Sequence, residues 1–166
     1  MLFRSVQTQA LALYRQLQPR ASTESRRELG WAAALHEIGM MVSHHDHHRH
    51  SAYLLAHVDA PGFSQSQQRR LGDLALGQRG GLRKLEAQLQ DEGLLWQLLA
   101  LRLAVLICHG REAVPAGLLK LQREARIVQL KLPQGWAGAQ PRAAFLLNQE
   151  IEAWGRSGLL SLQLAG

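Results

Sequence analysis

Apolar residues recur at helical spacing from the first residues onward. Leu2, Val6, Leu13 and Leu17, with Ala10 and Tyr14 beside them, form one stripe and predict a helix that Pro19 ends. Ser22 or Thr23 can cap a second helix running through Leu29, Ala33, Leu35 and Ile38 and stopping near Gly39. Further helices are predicted from about Ser51 to Val58 and from Ser64 to about Gln78, with Pro61-Gly62 as a break between them and Gly80-Gly81 as a turn after them. Asp91 is placed to cap a long apolar helix ending near His109-Gly110. After Pro115 the period changes. Leu118 to Leu121 and Ile127 to Leu132 predict strands, the second alternating through Ile127 (with Val128), Leu130 and Leu132. Pro141 suits the first turn of a helix reaching about Trp154, which Gly155 to Gly158 closes, and Leu160, Leu162 and Leu164 alternate as a last strand. The expected fold is mainly α, a helical bundle over residues 1–112, followed by a small α+β (β-β-α-β) subdomain over residues 113–166 packed on it.

Composition supports a packed domain. Apolar residues make up 46% of the 166, enough for a core, and charged residues only 19%, which argues against disorder. The net charge of +6 comes mostly from arginine, the better fork for phosphate or carboxylate oxygens. It fits an anionic partner, and a solvated basic surface accounts for it equally. The single cysteine, Cys108, precludes a disulfide within the chain and fits a reducing, cytoplasmic setting. Met1 to Ala12 lacks the continuous apolar core of a signal peptide. Leu94 to Cys108 is shorter than the roughly 20 residues a bilayer needs and is interrupted by Gln97 and Arg102, so it reads as a buried helix and not a membrane span. Aromatic residues, at 5%, are too scarce for a stacking platform, and nucleic acid is not an expected partner.

Two segments carry candidate chemistry. His36-Glu-Ile-Gly39 is similar to the His-Asp signature of the HD superfamily of metal-dependent phosphohydrolases, whose ligands hold a water-activating ion. Such a site also needs an upstream His and a later Asp. The helix over 2–17 has no His, and Val105 or a neighbour stands where the later acid would be. His36 and Glu37 are thus metal ligands only in an alternative reading, the other being local hydrogen bonding in a helical core. Next comes a cluster of His44, His45, His47, His48 and His50 around Asp46 and Arg49. His44 and His48 would share a face if the segment is helical, a spacing that can bind zinc. An exposed histidine-rich turn is simpler, and an anion contact beside Arg49 is a third reading.

Farther along, Arg69, Arg70, Arg79, Arg83 and Lys84 form a basic set, and Arg79-Gly-Gly-Leu-Arg-Lys84 puts three cations around a glycine turn whose N–H groups can also face an anion. A solvated face is the competing reading. No Gly-x-x-x-x-Gly-Lys-Ser/Thr or Gly-x-Ser-x-Gly occurs, so no catalytic constellation is expected.

The ordered string Trp31-Ala-Ala-Ala-Leu-His-Glu-Ile-Gly39, His44, His48-Arg-His-Ser-Ala-Tyr-Leu-Leu55, Asp59-Ala-Pro-Gly-Phe-Ser-Gln65 and Gln67-Gln68 resembles the helical region of the exopolyphosphatase / guanosine pentaphosphate phosphohydrolase family. The likeness extends more loosely through Leu106-Ile-Cys-His-Gly-Arg111, Leu132-Pro-x-Gly-Trp136 and Glu150-x-x-x-Trp154. It implies an HD-like helical bundle that does not carry the chemistry. In the family that chemistry, with its magnesium, belongs to preceding actin-like domains, so no cofactor is expected in this chain. It implies that the region contributes to a basic channel for polyphosphate and to homodimerisation. The residues expected to meet polyphosphate or a guanosine polyphosphate are His44, His48, Arg49, His50, Arg79, Arg83 and Lys84. The chain departs from the family at Gln78-Arg79-Gly80-Gly81, where a His and a Lys are usual, and the family's first helix has no counterpart ahead of Met1. The alternatives are a degenerate HD hydrolase using His36 and Glu37, and a purely structural, dimerising domain.

Overall fold

A computed structural model describes residues 2–110 and 113–165. It is mainly α-helical with a small α+β part at the carboxy-terminal end. The helices are α1 (Leu2–Leu17), α2 (Thr23–Leu35), α3 (His47–His57), α4 (Gln65–Gly77), α5 (Glu92–Ile107), α6 (Trp136–Ala139) and α7 (Pro141–Ser157); the strands are β1 (Lys120–Glu124), β2 (Ile127–Lys131) and β3 (Ser161–Leu164).

The centre is α5. It is apolar on all sides and buried along nearly its whole length, as a helix packed on several faces must be. Asp91 begins it, its Oδ1 accepting the Leu94 N–H at 3.1 Å. Against it lies the stripe of α1, where Val6, Ala10, Leu13, Tyr14 and Leu17 are buried. Ser22 caps α2 by accepting the Ser25 N–H, and Ser64 and Gln67 form a reciprocal capping box on α4. Gly72 lets α4 run close to α3, a Cβ there standing 3.2 Å from the Ala52 carbonyl.

The observed elements differ from the periodicity in several places. α2 ends at Leu35, and Ile38–Met41 forms a separate 3₁₀ turn. α3 starts at His47, not near Ser51, because Asp46 reverses the chain in the left-handed region, with φ 52°. The first strand lies at Lys120–Glu124, not over 118–121, because Pro115 to Leu119 is taken up in turns. In the second, Val128 and Leu130 face the core, in phase with Leu132, and of the expected pattern Ile127 is the residue that falls on the exposed side.

β1 and β2 form a hairpin, Leu121 opposite Leu130, around a turn in which Ala125 takes φ 52°. β3 returns parallel to β2 after α7, placing Val128 beside Leu162, and the strand order is β1-β2-β3. The boundary expected after residue 112 falls at Glu112, which with Arg111 lies outside the described residues. Several polar ties join the sheet to the helices. Gln16 Oε1 accepts the Leu121 N–H at 2.7 Å, Arg123 donates to the Leu17 carbonyl and lies 3.9 Å over the Trp96 ring, and Arg126 pairs with Glu92. Among the described residues no helix is long and apolar enough to cross a membrane.

Candidate functional site: a basic cluster at the start of α3

The segment between α2 and α3 is tied into the core by its own motif residues. The Ser51 hydroxyl, fully buried, donates to the His36 carbonyl at 2.9 Å and accepts the Gly39 N–H at 2.8 Å. Gln78 Nε2 donates to the same His36 carbonyl at 2.5 Å. Gly39 lies so close to α3 that a Cβ there would stand 2.1 Å from the His47 carbonyl oxygen. His36 itself is buried, and its Nδ1 lies 2.7 Å from the Ala33 carbonyl. That carbonyl can only accept, so Nδ1 carries the proton. Its Nε2 faces Glu37 Oε1 at 3.8 Å. This is a poor donor set for a divalent ion: one ring nitrogen is committed, one carboxylate is near, and among the described residues no group of three His, Cys, Asp or Glu converges.

The knot fixes the start of α3 opposite the 79–84 turn, and there the cations gather. Arg79 Nη1 donates to His47 Nε2 at 3.1 Å, which leaves the His47 proton on Nδ1. Lys84 Nζ folds back to donate to the Arg79 carbonyl at 2.7 Å, across the positive-φ Gly80. Much of Lys84 remains accessible, yet desolvation of the folded-back ammonium, then Arg102, Arg49 and Arg79, brings its pKa down to about 8 against the opposing pull of Asp46. Burial, then Lys84 and Arg79, pushes His48 down to about 4. Burial and Arg79 also lower His47. Both histidines are thus neutral at pH 7, and the Nδ1 atoms of both are buried without a hydrogen-bond partner. They are an uncharged, buried pair beside these cations, His47 in direct contact with Arg79.

The remaining expected residues are distributed differently. His44 and His45 are exposed and precede α3, so His44 and His48 do not share a helical face and the zinc-type spacing is not realised. The half-buried His50 packs its Cβ toward Gly39. Arg83 turns away from Lys84 to line a cavity of about 410 Å³ with Arg156 and Leu159. Arg70 is taken by Asp91 at 3.2 Å and Glu28 at 3.8 Å. The structure thus brings Arg49, Arg79 and Lys84 together with His47 and His48, and leaves Arg83 apart.

The family Ppx/GppA phosphatase, domain III, matches residues 3–151. The chain belongs to this family. It is 32% identical over 162 residues to the guanosine-5'-triphosphate,3'-diphosphate pyrophosphatase of Aeromonas salmonicida, an alignment covering 92% of this chain and 32% of that protein. It is 35% identical over 123 residues to the protein of the same name from Vibrio cholerae, covering 73% of this chain and 24% of that one. This domain III chain therefore spans about a third or less of the length of these curated relatives.

Within domain III, the residue that sequence reasoning passed over is Arg102. It stands in the apolar α5 as an apparent interruption but is buried, and its guanidinium joins three elements. Nη1 donates to the carbonyls of Gly77 at 2.7 Å and Gly80 at 3.0 Å, while Nε and Nη2 form a fork on Glu150 of α7 at 3.0 and 2.5 Å. Trp154 Nε1 donates to the same carboxylate at 3.1 Å. Arg102 thus anchors the 77–80 turn that carries Arg79. The motif Glu150-x-x-x-Trp154 is explained by this contact, and a lone Arg inside an apolar helical run was the only signal for it.

Stability follows the buried histidines. His36, His47 and His48 are all held below the ordinary histidine value of about 6.5, burial being the largest cause in each. The unfolded chain therefore binds protons that the folded chain resists. Their contribution is fully present above pH ~6.5 and is lost as the pH falls toward the His48 value of about 4. The melting temperature is expected to drop across that window, and His48→Gln to flatten the drop. A melting temperature in which His48→Gln leaves the pH dependence unchanged would contradict the assignment.

Proposed function

We propose that this chain is an anion-binding accessory domain of a Ppx/GppA phosphatase, holding phosphates of linear polyphosphate or of a guanosine polyphosphate near a catalytic centre that lies elsewhere. The observation that carries the reading is that Arg49 of α3 stands with Arg79 and Lys84 of the 79–84 turn, with Asp46 the acid opposing them. Like charges held this close repel, and a polyvalent anion removes that repulsion by charge-assisted hydrogen bonds. The neutral pair of His47 and His48 adds no carboxylate to compete. Hydrolysis, in this reading, belongs to actin-like domains with their magnesium, and the whole protein is a cytoplasmic guanosine polyphosphate or polyphosphate hydrolase.

The test is a titration of the untagged chain with long-chain polyphosphate at low and high salt. Binding is expected to tighten with chain length and weaken steeply with salt. Arg79→Gln with Lys84→Gln should weaken it about tenfold or more, each charged hydrogen bond being worth ~1.5–3 kcal/mol. Raising the pH through the Lys84 value of about 8 should weaken the wild type and not the double variant. No binding at low salt would reject the reading.

A second reading has its own support. Met41 is 85% exposed and Tyr53 67%, with Val42 and Val58 also open to solvent, so large apolar side chains stand in solvent before, along and after α3. It suits a homodimer contact or the seat of the catalytic domains, and sedimentation of the same samples with Met41→Ser and Tyr53→Ser would show whether these residues hold two copies together.

A further inference from the structure

We propose that the cleft between α1 and α2 is a second oxyanion site, taking a pyrophosphate or the phosphates of a small organic phosphate. It is built from other elements than the Arg79–Lys84 cluster and does not rest on that reading. The cleft has a volume of about 280 Å³ and is lined by Arg15 of α1 and by Thr23, Arg26, Arg27 and Trp31 of α2. That volume lies just under the range of ~300–1,000 Å³ usual for drug-sized ligands, so it suits a small anion.

Three features point to an anion. First, three arginines line the cleft, and among the described residues no carboxylate does. Arg15 and Arg27 have no ion-pair partner among the described residues. The neighbouring cavity over the far side of α2 is a contrast: there Glu24, Glu28, Asp73 and Asp91 answer Arg69 and Arg70, so its charges compensate one another. Second, one of the three is held in place: Arg26 Nη2 donates to the Pro19 carbonyl at 3.1 Å, so its guanidinium is not free to swing away. Third, the walls are rigid. Gln7 Nε2 donates to the Gly30 carbonyl at 3.0 Å and closes the floor between the two helices. The Trp31 indole is set edge-on against Phe63 with ring centroids 4.7 Å apart.

The experiment is an amide and indole NMR titration of the chain with inorganic pyrophosphate, and separately with GTP, at low salt. Saturable shifts are expected at the Gly30 amide and the Trp31 indole. Arg15→Gln with Arg27→Gln, both exposed positions, should weaken them about tenfold or more, while Arg79→Gln with Lys84→Gln should leave them in place. Equal affinity for the two probes identifies the phosphates as the ligand, and tighter binding of GTP identifies a nucleotide; both support the site. Shifts confined to Gly80 and Gly81 would overturn the second site and leave the α3 cluster standing. Shifts at Gly30 and Trp31 that persist unchanged in the Arg15/Arg27 variant would also overturn it.

Discussion

Alanine at position 39 should destabilise this domain on the order of 3 kcal/mol, the upper part of the range for overpacked sites. Glycine-to-alanine changes in helices ordinarily stabilise, so the sign is informative. The reason is steric and local. A Cβ at Gly39 would lie 2.1 Å from the His47 carbonyl oxygen, 2.4 Å from the Ser51 backbone nitrogen and 2.8 Å from the His50 Cβ. Two of those three atoms are backbone, so no rotamer change relieves the clash. The 3₁₀ turn would have to lift from α3, and the Ser51 hydroxyl would lose the Gly39 N–H while still bonded to the His36 carbonyl. Gly155→Ala is the control. It sits in α7 with nothing within 4 Å of a Cβ, and should stabilise by up to ~1 kcal/mol. Denaturant midpoints for the two variants decide the matter. A Gly39→Ala midpoint within error of the wild type would mean that the turn does not need to rest on α3. Phosphate binding is expected to weaken with it, since the same contact positions His47 beside Arg79.

Arg102→Met should cost about 3–5 kcal/mol, the usual loss when one partner of a buried ion pair is removed. For a chain of 166 residues that corresponds to a melting temperature lower by ~10 °C. The substitution keeps an unbranched stem in the apolar helix but leaves Glu150 without its fork and the Gly77 and Gly80 carbonyls without a donor. Glu150→Gln should cost less, because the amide still accepts from Arg102 and Trp154. The two changes together should fall well short of their sum, since each removes part of one network. A double-mutant cycle by thermal denaturation measures that coupling. Additive losses would show that Arg102 acts through the turn carbonyls alone. The variant also separates stability from binding: because Arg102 anchors the turn bearing Arg79, polyphosphate affinity at a temperature where Arg102→Met is folded should still decline.

Much of the architecture was legible because it is written in local rules. The stripe of α1, the caps at Ser22, Ser64 and Asp91, the apolar run of α5 and Pro141 at the head of α7 each depend on residues within one or two turns, so spacing alone located them. The change to strands after Pro115 was legible for the same reason, although the outward place of Ile127 was not: Val128 and Leu130 take the inward face, packed beside Leu121 and Leu162 across the sheet. The string from Trp31 to Gln68 was enough to indicate the family.

Other features were settled only in three dimensions. The start of α3 at His47 carries no side-chain cap and no apolar periodicity; it is placed by the left-handed Asp46 and by Gly39 resting on the helix. Arg79, Arg83 and Lys84 are close in sequence, but a 3₁₀ turn over Arg83–Leu85 sends Arg83 to one side and lets Lys84 fold back to the other. Arg102 and Glu150 are far apart in the chain and meet because α7 crosses α5. The sequence by itself determined most of the helices, the family and the inventory of cations. Which cations stand together, and which histidines are kept neutral beside them, the tertiary structure decided, because charge repulsion and desolvation act over a few ångströms of space and not along the chain.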